Sequence, residues 1–256
     1  MENVEHAQER LGNIHAVQPI LGALRTISLG GWQLALAQQV HTGHCRAMLQ
    51  AALVALLPHL ARKPLAPSPH TPAARQVVLV AIGSERGLCG RVNTALYESA
   101  GRRLRALEAE GSRVQLIVLG TRLERLFRRG GHSIAGEGAL SVTSLPPYRL
   151  AFDLARRWLD EYQAGSLDVV EVFYNAYRGT GASSRSMAHL LPPELPPVSL
   201  EAADALWPPP IVETDPRRLY VRILEQWTAL QLYSLLLDSA ASEHAMRYQL
   251  MEVAAR

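Results

Sequence analysis

The chain has 256 residues, 48% of them hydrophobic and 19% charged, with a formal net charge of +3. That balance suits one or two folded domains and excludes wholesale disorder. So small a net charge does not point to nucleic acid, which needs a concentrated basic face, and two cysteines, Cys45 and Cys89, make no disulfide framework.

The first residues, Met1-Glu2-Asn3-Val4-Glu5, have no signal-peptide character. The longest apolar run, residues 51–57, is too short to span a bilayer. The sequence alone therefore leads us to expect a cytoplasmic chain whose membrane contact, if any, is made through a partner.

Residues 5–62 read as one helix, roughly 80 Å at full length. In heptads, one row is Ile14, Leu21, Ser28, Ala35, Thr42, Leu49 and Leu56. The other is Val17, Leu24, Gly31, Gln38, Cys45, Ala52 and His59. The ends are apolar and the middle is small or polar, so backbones can approach closely there. Gly30 and Gly31 each cost about 1 kcal/mol against alanine, and Pro19 is expected to bend or break the first turns.

Pro64, Pro67, Pro69 and Pro72 form a semi-rigid linker. Residues 76–82 are a β-branched buried strand, followed by a turn over 83–90 and a helix over 92–110. A second strand spans 114–119 and a helix 121–129. Residues 132–147 show no clear period beyond a short strand near Ser133. A helix over 148–163 and a strand over 167–174 follow. Strands alternating with helices argue a mostly parallel, Rossmann-like α/β sheet. Residues 179–186 read as a Gly/Ser-rich loop, and 192–210 as an extended proline-rich connection.

The last element starts at Asp215 with Pro216 at its first helical position. It runs on as an amphipathic helix of about 60 Å. The small α/β domain is not expected to bury that stripe, so a second long helix is required. The domain reading is therefore 1–63 first long helix, 64–75 linker, 76–191 α/β domain, 192–214 connection and 215–256 last long helix. The fold class is an antiparallel coiled coil of terminal helices plus a small α/β domain.

Gly83-Ser84-Glu85-Arg86-Gly87-Leu88-Cys89-Gly90 sits where phosphate loops sit, but fits neither glycine fingerprint for nucleotides. The alternative is a tight turn whose glycines take positive φ. His41, His44 and Cys45 fall within one helical turn, without further ligands to complete a metal set. Ser242, Glu243 and His244 are consecutive on a helix and cannot form a relay. Glu243 pairs better with Arg247, four residues on. The Arg102–Arg105 and Arg122–Arg129 runs read as solvated helix faces. The residues supply no catalytic, cofactor or metal site.

Two segments carry a resemblance. Residues 84–93, Ser-Glu-Arg-Gly-Leu-Cys-Gly-Arg-Val-Asn, resemble the S-D-R-G-L-C-G-x-x-N segment of the gamma subunit of F-type ATP synthases. Residues 239–251, Ser-Ala-Ala-Ser-Glu-His-Ala-Met-Arg-Tyr-Gln-Leu-Met, resemble its S-x-A-S-E-H-A-A-R-M-x-A-M segment. The layout of a helix at each end of a small α/β domain agrees.

The resemblance implies a central-stalk rotor with no catalytic residues and no cofactor. It implies partners: the alpha and beta subunits of the ATPase hexamer, the epsilon subunit and the membrane rotor ring of c subunits, with no nucleic acid. The contact candidates it suggests are Arg25, Ile27, Arg86, Cys89, Glu243 and Arg247, with Arg86 and Cys89 at the base of the coiled coil.

Three departures stand out. Glu85 replaces the usual Asp. A single basic residue, Arg25, stands where the family is lysine-rich, and the last helix is shorter than the family's. From these we expect Arg256 near Glu9, nearly flush helix ends, and weaker coupling. The alternatives are a gamma-like structural protein docked on an ATPase hexamer, and a nucleotide-binding α/β enzyme with helical dimerisation arms.

Overall fold

The computed structural model describes residues 2–60, 75–141, 144–179, 183–194 and 211–255, with side chains in the first helix from Gln18 onward. The proline linker after Leu60, most of the proline-rich connection and Arg256 lie outside the described residues.

α1 (Glu2–Leu56) runs through Pro19 and ends in a 3₁₀ turn, Leu57–His59. Pro19 does not break it, and the residue is exposed. The helix stops short of the expected Arg62, because Pro58 opens the 3₁₀ turn.

The α/β domain holds β1 (Gln76–Ile82), α2 (Val92–Ala109), β2 (Arg113–Leu119), α3 (Thr121–Arg129), β3 (Gly136–Gly138), α4 (Tyr148–Gln163), β4 (Val169–Tyr177) and β5 (Ser183–Leu191). The last helix, here α5, is Pro216–Ala254.

The sheet order is β3-β2-β1-β4-β5. β1 pairs in parallel with β2 and β4, while β5 returns antiparallel on β4. Central β1 is buried on both faces, which is why it reads as an unbroken apolar run. Val77, Leu79 and Ala81 meet α2 and α3 through Leu96, Leu104, Leu123 and Phe127. Val78, Val80 and Ile82 point the other way, toward Trp158 of α4 and Leu232 and Leu236 of α5.

Two expectations need correction here. Residues 183–186 are strand, not loop: Ser183 to Ser186 pair with Tyr177 to Tyr174. And α5 does bury part of its surface in the α/β domain. Leu232, Tyr233, Leu236 and Leu237 cover one face of the sheet, while another face of α5 packs along α1. At roughly 1.5–3 kcal/mol per fully buried large apolar side chain, this face alone anchors the helix strongly.

The coiled coil itself is antiparallel. Arg25 Nη1 lies 2.7 Å from Glu252 Oε2, and Arg46 Nη1 donates to Gln231 Oε1 at 2.8 Å. These contacts put the end of α5 at Ala254 opposite Ala23, far from Glu9, and the helices are not flush. Roughly 30 Å of α1 runs past α5.

Ser28, Ala35 and Thr42 are buried in the seam. Ser28 Oγ donates to Leu24 O at 2.7 Å and Thr42 Oγ1 to Gln38 O at 2.8 Å, so each buried hydroxyl is satisfied within its own helix. Cys45 and His59 of the second expected row are exposed. Arg46 and Leu53, one position on, take that side of the seam instead. An apolar cluster of Leu53, Leu56, Tyr220, Leu224 and Trp227 closes the opposite end.

Candidate functional site

The loop after β1 is knitted by its own side chains. Ser84 N donates to Asn93 Oδ1 at 2.9 Å, and Asn93 Nδ2 donates to Ser84 Oγ at 2.7 Å. Ser84 Oγ donates to Arg86 O at 2.7 Å. Cys89 is 2% exposed beside them, and burial pushes its thiol pKa up. This explains the fixed spacing from Ser84 to Asn93: it closes a polar knot over the first turn of α2.

Glu85 reaches across to α3. It accepts from Thr121 N at 3.1 Å, from Thr121 Oγ1, and from Leu140 N at 3.0 Å. Burial works against its charge, but these bonds and nearby Arg125 win, and the carboxyl titrates below its usual range. The carboxylate thereby caps the positive N-terminus of α3. Just before that helix, Gly120 has φ +99°, and a Cβ there would stand 2.9 Å from the Gly83 carbonyl.

Of the loop's glycines, Gly90 takes positive φ (+66°) as expected, while Gly83 and Gly87 do not; Leu88 does (φ +62°). Leu88 is 60% exposed, so the loop holds a leucine outward in a conformation that leucine rarely adopts. Gly90 lies against Leu250 and Met246 of α5.

α5 meets the sheet and this loop at two levels, about 12 Å apart along the helix. Asp238 Oδ1 accepts from Tyr177 N at 3.1 Å, Ser239 Oγ donates to Ile82 O at 3.3 Å, and Arg247 Nε donates to Gly87 O at 3.3 Å. These contacts lie at the C-terminal ends of β1 and β4, where sheets of this winding usually bind ligands. Here the helix fills the crevice, leaving a narrow cleft lined by Ile82, Glu85, Arg86, Ser141, His244 and Arg247.

Arg247 also pairs with Glu243. That pair is buried rather than exposed as a surface i,i+4 pair would be. Burial raises the Glu243 pKa, and Arg247 opposes the shift. The ring of His244 lies against Gly31 of α1 in the seam. A Cβ on Gly31 would lie 2.6–2.8 Å from its ring. Its Nδ1 has no hydrogen-bond partner, and burial, reinforced by the Arg247 charge, depresses its pKa to about 4.

The structure thus gathers Cys89, Glu243 and Arg247 at the joint between α5 and the loop. It leaves Arg86 exposed at the joint's edge, Ile27 at 53% exposure, and Arg25 half-exposed on Glu252. His41, His44 and Cys45 are exposed, and the described residues hold no cluster of metal-ligating groups. Sequence reasoning missed Asp238, Ser239 and the Gly31–His244 seat. The one signal for the seat was a glycine in the middle of a long helix.

A family model described as "ATP synthase" matches residues 3–256. The ATP synthase gamma chain of Granulibacter bethesdensis is 26% identical over 266 residues, covering 100% of this chain and 88% of that one. That of Acidiphilium cryptum is 27% identical over 261 residues with the same coverage. Among solved structures, the central stalk/c-ring of the Tetrahymena thermophila mitochondrial ATP synthase matches with a TM-score of 0.61 at 20% identity, covering 93% of this chain and 100% of that chain. The rotor of the Euglena gracilis mitochondrial ATP synthase matches with a TM-score of 0.62 at 13% identity, covering 99% and 91%.

Proposed function

The chain belongs to the ATP synthase gamma family and is a non-catalytic rotor subunit of the F-type enzyme; on that premise we propose that the α5 joint is where torque passes between its shaft and its α/β domain. The observation that carries this reading is the three-point attachment of α5 to β4, β1 and the Ser84–Gly90 loop. Contacts at separate heights resist both sliding and twisting. Among the described residues α1 touches the sheet where Trp32 packs edge-on against Tyr177, 5.8 Å between ring centroids, and otherwise follows α5 through the seam.

The chain works within a rotary complex, peripheral to its membrane part. In our reading the shaft sits inside a hexamer of alpha and beta subunits, on the cytoplasmic side. The α/β domain rests on the c ring and meets epsilon. Arg25, Ile27 and Arg86 face these partners, while Cys89, Glu243 and Arg247 act through the joint that holds the loop. Because α5 occupies the crevice where a nucleotide would sit, the isolated chain should neither hydrolyse ATP nor bind it.

The test is co-purification of the tagged chain with alpha and beta subunits, paired with calorimetry of the chain alone. Recovery of all three in one complex, with no heat of ATP binding to the chain alone, supports the reading. Micromolar ATP binding to the isolated chain would favour a nucleotide-binding enzyme instead.

A further inference from the structure

The side of α1 turned away from α5 bears a second heptad ladder that none of the described residues covers. Its large row is Ile20, Ile27, Leu34, His41 and Met48, and Ile20, Leu34 and Met48 are 58%, 55% and 72% exposed. Beside it runs a small row: Ala23, Gly30, Ala37, His44 and Ala51, all exposed. Within Gln18–His59 an 18-residue window reaches a mean hydropathy of 1.2, yet only 11% of that window is buried. Between residues 18 and 56 the only formal charges are Arg25 and Arg46. Both are turned to α5, on Glu252 and Gln231. Water is a poor solvent for so long an uncharged face.

The order of sizes says what would fit. In an antiparallel helix pair each a residue faces a d residue of the other strand. Two copies of α1, related by a two-fold axis between Leu34 and Ala37, set large against small almost throughout. Ile20 faces Ala51 of the other copy, Met48 faces Ala23, His41 faces Gly30, and Leu34 faces Ala37. Only Ile27 with His44 sets large on large. A patch that complements itself about a two-fold is the mark of an isologous dimer.

We propose that the free chain forms an antiparallel homodimer through this face of α1. The strip is about 45 Å long and 10 Å wide, or on the order of 450 Å² per copy. Stable dimers bury nearer 800 Å² per partner, so the pairing is reversible. If the shaft is enclosed by a hexamer, as in the reading above, the pair must part on assembly, because both need the same face. The dimer would then be the stored form of the subunit.

Light scattering on the purified full chain over a dilution series tests this without any partner, so it stands apart from the co-purification test. The mass should rise from 28.1 kDa toward twice that value with concentration. Leu34→Glu, at the two-fold, should raise the dissociation constant at least about tenfold. Val253→Glu, on exposed α5, should leave it unchanged. Independently, in a Cys45→Ser background, chains carrying Ile20→Cys mixed with chains carrying Ala51→Cys should crosslink one to the other. A monomer at every concentration, a dimer indifferent to Leu34→Glu, or crosslinks that join Ile20→Cys only to itself would overturn the proposal.

Discussion

Replacing Gly31 with alanine should loosen the shaft, although glycine-to-alanine changes usually strengthen a helix. Alanine gains about 1 kcal/mol of helix propensity. At position 31 the new Cβ would stand 2.6 Å from His244 Cε1, 2.7 Å from Nε2 and 2.8 Å from Nδ1. No real Cβ tolerates that, so the imidazole must leave its seat or the helices must part. Overpacking of this kind costs about 1–3 kcal/mol. The net is a loss of up to about 2 kcal/mol, a fall in Tm of up to about 4–8 °C for a chain of this size.

Gly43 is the internal control. It lies in the same helix with nothing within 4 Å of its would-be Cβ. Gly43→Ala should therefore raise Tm. Combining Gly31→Ala with His244→Ala should recover most of the loss, because the clash needs both partners. Thermal unfolding of the parent and these three variants, with His244→Ala alone as the reference for the double, followed by circular dichroism is sufficient. If Gly31→Ala is as stabilising as Gly43→Ala, the ring does not sit over Gly31 and the close-approach argument fails.

Three further outcomes follow from the joint. His244 has a folded pKa of about 4, below its ordinary value, so the unfolded chain takes up the proton first. Its contribution is complete above about pH 6.5 and falls by roughly 3 kcal/mol as pH drops toward 4. Buried Glu243 shifts the opposite way, so the slope is read as the difference between the parent and His244→Gln. Glu85→Ala uncaps α3 and should cost about 1–2 kcal/mol near neutral pH. Since the Glu85 pKa is lowered on folding, its share is present above the unfolded value and lost as pH falls below it, so the variant and the parent should converge in acid. Finally, exposed Cys45 should react with a maleimide far faster than Cys89, which is buried and whose thiol pKa is raised; equal rates would mean the Ser84–Gly90 loop opens readily.

Much of the architecture was readable because long-period signals survive averaging. The stripes of α1 and α5 called for each other, and the apolar run of β1 announced a strand buried on both faces. β5 escaped because Ser183-Ser184-Arg185-Ser186 is a polar edge strand with the composition of a loop. The double duty of α5 escaped too. Two apolar faces on one helix blur into an all-round pattern, and a single stripe says nothing about the sheet on the other side.

At the joint, the spacing from Ser84 to Asn93 marked a tight loop but not its geometry. The positive φ falls at Leu88, next to Gly87, whose carbonyl is held by Arg247, 160 residues away in the chain. Likewise the helix register rests on pairs such as Arg25 with Glu252, which no local period encodes.

The most direct test of the rotor assignment is a reversible lock on the shaft. Ile27→Cys, in the assembled enzyme with Cys45→Ser, is crosslinked by a disulfide to a cysteine placed on a beta subunit facing the shaft. ATP hydrolysis should fall to under about a tenth of its starting rate, since an immobilised shaft cannot carry the sites through their cycle. It should return on reduction. Undiminished hydrolysis with the crosslink complete would contradict a turning shaft.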